Sequence, residues 1–141
     1  MSYTYNPIYH HFKGDHITRS ERVECMVIDI ILKSPLPDED RAWSKTFELK
    51  HSASVAKIGR MLAQKRGLDE NLSAVICALH DIYVFETGRV AAHAHQGAPI
   101  AEKILRETKE FTEDEIRLIT EAIKNHSDKH IISKDPYVEL V

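Results

Sequence analysis

Scarcity sets the first limits on this chain. Its 141 residues include two cysteines, one tryptophan, five glycines and five prolines. Cys25 and Cys77 each sit in apolar stretches, so they read as free core thiols of a reducing, cytoplasmic protein rather than a disulfide or a metal pair. So little Gly and Pro leaves scant turn material for a β-rich fold. No apolar run approaches the ~20 residues of a membrane-spanning helix, and the polar N-terminus does not read as a signal peptide, so no membrane partner is expected. Neither sign of charge dominates: 19 Lys+Arg stand against 22 Asp+Glu, a formal net charge of −3, with no long basic run. That argues against a nucleic-acid polymer as partner. The length suits one compact domain with a real core.

What is present is helical periodicity. Residues 1–17, rich in Tyr and His, lack it and read as an irregular arm before a single domain over 18–141. Thr18 and Glu21 have capping-box spacing, and Val23, Met26, Val27, Ile30 and Ile31 then recur on one helical face. Ser34-Pro35-Leu36-Pro37 ends that helix. A long second helix is expected from Asp38 to the stop at Gly67. Asp69 caps a third that ends near His80-Asp81. A loop around Gly88 leads to a fourth, about 96–108, and Thr112 with Glu115 opens a fifth that reaches His126. Asp135-Pro136 starts a last helix by placing proline in its first turn. The expectation is an all-α compact bundle of about five to six helices, with Trp43 against the first.

Histidine is the abundant chemistry-bearing residue, at nine copies. On the second helix Phe47, His51, Val55, Ile58 and Leu62 form one stripe, which predicts a core-facing His51. On the fifth, Ile116, Ile119, Ile123 and His126 do the same. An inward imidazole needs a partner, because a buried polar group must be hydrogen-bonded or coordinated. A backbone carbonyl is the plain solution for either histidine alone. His80-Asp81 differs: neighbours on a helix project about 100° apart, but a helix end loosens enough to aim both inward. An aspartate at a helix C-terminus also opposes the dipole, a cost of ~0.3–1 kcal/mol that a bound cation would offset. Imidazole with carboxylate suits Mn, Fe, Co, Ni or Zn, and the sequence does not choose among them.

His51 followed by His80-Asp81 resembles the opening of the H…HD…D signature of the HD superfamily of metal-dependent phosphohydrolases. Lys50-His51-Ser52 with Val55-Ala56, and Ala78-Leu79-His80-Asp81-Ile82, match its context. Thr87-Gly88, His95-Gln96-Gly97-Ala98 and Ala122-Ile123-Lys124-Asn125-His126-Ser127 resemble the subgroup with extra histidines. The likeness covers roughly 45–141. It implies an HD-like helical domain with one divalent transition metal held by His51, His80 and Asp81. It further implies a second ion on His95 and His126, with Asp81 bridging as the carboxylate on which catalysis turns. His93 is the rival of His95; only His95 is followed directly by Gly97-Ala98, and two positions apart they cannot share a face. Arg89 and Lys124 are candidates for steadying phosphate charge, against the plainer reading of solvated cations.

The implied activity is hydrolysis of a small phosphate ester, nucleotides included, by metal-activated water. One departure favours an alternative. The signature's closing Asp normally follows a stretch like Asp135-Pro136-Tyr137-Val138-Glu139-Leu140-Val141, and the sequence stops before it, within the last expected helix. That motivates a non-catalytic metal- or nucleotide-binding module as second reading, and a helical interaction domain as third. The apolar end at Leu140-Val141 suggests a homo-oligomer.

Overall fold

The computed structural model describes residues 18–127 and 134–141. The expected arm at 1–17, with His10, His11 and His16, and also Asp128 and His130, lie outside the described residues. The rest is an all-α bundle, as the periodicity predicted, and among the described residues no strand occurs. No helix there is long and apolar enough to cross a membrane.

Helix α1, Arg19–Lys33, opens on the expected capping box: the Thr18 hydroxyl accepts from the Glu21 amide, and the Glu21 carboxylate accepts from the Thr18 amide. Its Val23, Val27 and Ile31 are fully buried. The second helix corrects its expected start. Asp38–Asp40 forms a separate 3-10 turn, and α2 runs Lys45–Arg66 with Ser44 as its cap. Between them Arg41 is extended, because its side chain is drawn inward to Glu48.

The face that α2 buries is also corrected. Ser52, Ala56, Gly59 and Ala63 face the core. Phe47 and Ile58, expected inside, are 47% and 54% exposed. Small side chains let two helix axes approach, and Gly59 shows how closely: a Cβ there would stand 2.5 Å from the Cys77 sulfur. The element that α2 packs against is α3, Glu70–Leu79, capped by Asp69. Every residue from Leu72 to Leu79 is buried, which makes α3 apolar all round and the central rod of the bundle. Helix α1 and the later helix Glu113–Asn125 pack on it too.

A short helix that the sequence reading did not separate, α4 (Ile82–Thr87), follows at once and stops at Gly88. Gly88 has φ +73°, a backbone conformation that calls for glycine, and a Cβ there would also press on the end of the Leu36 side chain at 2.7 Å. Helix α5, His93–Thr108, begins three residues before its expected start and seats Gly97 against Ile82 and Tyr83 of α4. Helix α6, Glu113–Asn125, has the expected Thr112–Glu115 capping box. Helix α7, Pro136–Leu140, is capped by Asp135, with proline in its first turn.

Candidate metal centre

The junction of α3 and α4 builds the site. His80 closes α3 and Asp81 stands at the head of α4, with φ −108° and ψ 20°. The amides of Val84 and Phe85 bond to the Asp81 carbonyl, and its side chain caps nothing. Asp81 was expected to oppose a helix dipole; it sits instead where the next helix begins, which favours an anion. Its carboxylate is left free to face histidines.

Four imidazoles meet it. His51 Nε2 lies 3.0 Å and His80 Nε2 2.8 Å from Oδ2, while His93 Nε2 lies 3.3 Å and His126 Nε2 3.8 Å from Oδ1. The ligating atoms therefore fall into two triplets, His51–His80–Asp81 and Asp81–His93–His126, that share one carboxylate. His80, Asp81 and His126 are buried, and His51 and His93 are partly exposed.

Hydrogen bonding fixes what three of the rings present. The Cys77 carbonyl accepts from His80 Nδ1 at 2.5 Å, Val90 from His93 at 2.9 Å, and Ile123 from His126 at 2.6 Å. A carbonyl can only accept, so each Nδ1 carries a proton and Nε2 is the atom each ring turns to the centre. This is the arrangement that orients a metal-ligating histidine. His51 is held otherwise, stacked on Phe47 with ring centres 5.5 Å apart and edge-on to Trp43 at 5.8 Å. Trp43, expected against α1, stands at this site.

Electrostatics agree with a cation site. Burial alone would lift the Asp81 pKa; the hydrogen bond with His80 and the field of His80 outweigh it and hold the carboxyl below its ordinary range. Burial pushes His126 down to about 4, so that ring is neutral at physiological pH. Imidazole Nε2 atoms gathered around one carboxylate form a donor set suited to a divalent transition metal.

The sequence had placed His95 beside His126. The structure corrects this to His93. His95 is exposed and lines a surface groove with Lys124 and Glu121. The buried face of α5 carries Gly97 and Ala101; His93 precedes Gly97 by one turn and shares that face, whereas His95 points away. That i, i+4 relation was the readable signal. Arg89 is exposed and Lys124 projects from α6 two positions before His126, about 200° around the helix. Neither expected cation is among the residues that line the site cavity.

That cavity, of about 470 Å³, runs from the cluster along Val55, Ile58 and Leu62 of α2 to Leu140 and Val141. Val55, Ile58 and Leu62 of the stripe are thus its apolar wall, Val55 and Leu62 also packing against buried Ala63, Cys77 and Leu140. A larger groove of about 590 Å³ between α1 and α5 contains no histidine or aspartate, so the chemistry belongs to the smaller one.

Comparison with known proteins gives a family match. The family model of the HD domain matches residues 49–141. A ribonuclease Y from Rhodopirellula baltica is 36% identical over 95 residues, covering 66% of this chain and 16% of that protein. The chain thus spans about a sixth of the length of the curated relative it matches. No solved structure matches.

Proposed function

This chain belongs to the HD domain family, and on that premise we propose a metal-dependent phosphohydrolase centred on Asp81. The observation that carries the proposal is the shared carboxylate: its two oxygens each face their own pair of imidazoles. His51 and His80 would hold one divalent ion and His93 and His126 a second, with Asp81 common to both. A divalent ion of the Mn, Fe, Co, Ni or Zn kind supplies Lewis acidity there, acidifying water toward neutral pH and polarising a phosphoryl oxygen. The residues do the rest. Carbonyl-anchored rings keep His80, His93 and His126 aimed inward, and the apolar wall at Val55, Ile58 and Leu62 gives the organic part of a small phosphate ester a dry surface. Nucleotides are the first substrates to try. An RNA oligonucleotide joins them because a matching relative is named a ribonuclease.

Elemental analysis of the purified protein beside a His80→Ala/Asp81→Ala variant tests the centre. One or two equivalents of transition metal are expected in the parent and none in the variant. The metal-loaded parent is then assayed against p-nitrophenyl phosphate, nucleotides and a short RNA. No metal uptake, even after soaking, sinks the metal centre. Uptake without turnover of any substrate leaves the binding module as the function.

A further inference from the structure

Away from the ligands, α2 and α4 are joined at a second point. The Arg41 and Glu48 side chains are both 0% exposed. Arg41 Nη2 donates to the two Glu48 carboxylate oxygens at 2.8 and 2.9 Å and to the Phe85 carbonyl at 2.6 Å, while Nη1 donates to the Ser34 hydroxyl at 2.7 Å. Glu48 precedes His51 by three residues on α2, and Phe85 follows Asp81 by four. The guanidinium therefore spans the same two elements as the His51–Asp81 contact at 3.0 Å, about one helical turn of 5.4 Å away.

A buried ion pair is poor evidence for stability, since desolvating two charges offsets most of their attraction. What this one supplies is placement. His80, His93 and His126 are each oriented by a carbonyl three residues earlier in the chain. Among the described residues no carbonyl accepts from His51, so its approach to Asp81 depends on where α2 sits against α3 and the head of α4.

We propose that Arg41 and Glu48 are positioning residues for the metal centre: they set His51 against Asp81 and so tune the His51–His80–Asp81 triplet, not the Asp81–His93–His126 triplet. This rests on the metal-centre reading above.

Calorimetric titration of the metal-free protein with Co²⁺ or Mn²⁺ tests it, using Arg41→Met/Glu48→Met and Glu48→Gln. The double variant removes both charges together and leaves neither orphaned in the core. His51→Ala and His93→Ala identify which binding step belongs to which triplet. The expected result is a folded double variant that weakens the His51-dependent step about tenfold or more, in the range of other outer-shell losses, and keeps the His93-dependent step at parental affinity. Glu48→Gln, which keeps the shape of the clasp but leaves the Arg41 charge unpaired, should also weaken only the His51-dependent step, and it decides the matter if the double variant does not fold. Parental affinity at both steps, or equal weakening of both, overturns the proposal while the metal centre stands. A parent that takes up no metal overturns the centre and this inference with it.

Discussion

The Nε2 atoms of His93 and His126 face each other at 3.1 Å, and while both rings are neutral neither can donate to the other. Each spends its proton behind itself, on Val90 and Ile123. Held so close, the two Nε2 atoms are placed to share a proton or a cation. His93→Ala should therefore remove one metal equivalent, with a loss of about tenfold or more in affinity, whereas His95→Ala should bind like the parent. Inductively coupled plasma analysis of the two variants side by side decides it; metal loss in His95→Ala would sink the assignment.

Asp81→Asn keeps the shape of the carboxylate and removes its charge. Because both triplets close on that residue, both metal equivalents should disappear together, with the helical circular dichroism unchanged. A full equivalent retained in the variant would mean that one pair of histidines holds an ion unaided.

Stability of the metal-free protein should fall in acid. His126 is held down to about 4 by burial, helped by the field of His80, from an ordinary value of 6.5. The unfolded chain takes up a proton as pH drops through 6.5, and the folded chain does not until about 4, so the unfolded state is favoured progressively across that window. The full effect by pH 4 is on the order of 3 kcal/mol. Urea midpoints measured from pH 7 to pH 4 should decline, and His126→Asn should flatten the slope. An equally steep decline in that variant would assign the effect elsewhere.

Gly59 should resist enlargement. Gly59→Val would put a Cβ 2.5 Å from the Cys77 sulfur, and overpacking of this kind costs about 1–3 kcal/mol. Cys77→Ala in the same chain should recover part of that loss. Thermal melts of the two single variants and the double give the coupling, and strict additivity would show that the seam has room to spare.

Much of the frame was legible because helix ends are written locally. Thr18 with Glu21, Thr112 with Glu115, Asp69 and Asp135 each cap the helix the sequence assigned to them. The inward turn of His126 followed from its place on the Ile116–Ile119–Ile123 face, which is buried. What failed was anything set by a distant partner. Size misleads about the rotation of α2: Ser52, Ala56, Gly59 and Ala63 win the core by letting α3 come close, while the larger Phe47 and Ile58 stay exposed. The start of α2 was misread because Arg41 is pulled straight by Glu48, a tertiary bond. His95 was preferred to His93 because Gly97 was read as part of a motif and not as the contact that sets the face of α5.

The unbroken burial of Leu72 through Leu79 has a consequence in time as well as space. A helix with no wet side cannot fray laterally, and its amide hydrogens reach deuterium only when the whole bundle comes apart. For α3 the slowest exchange in the molecule should run on the clock of global unfolding. His80 and Asp81 hang from its final turn, so the innermost ligands keep that same time.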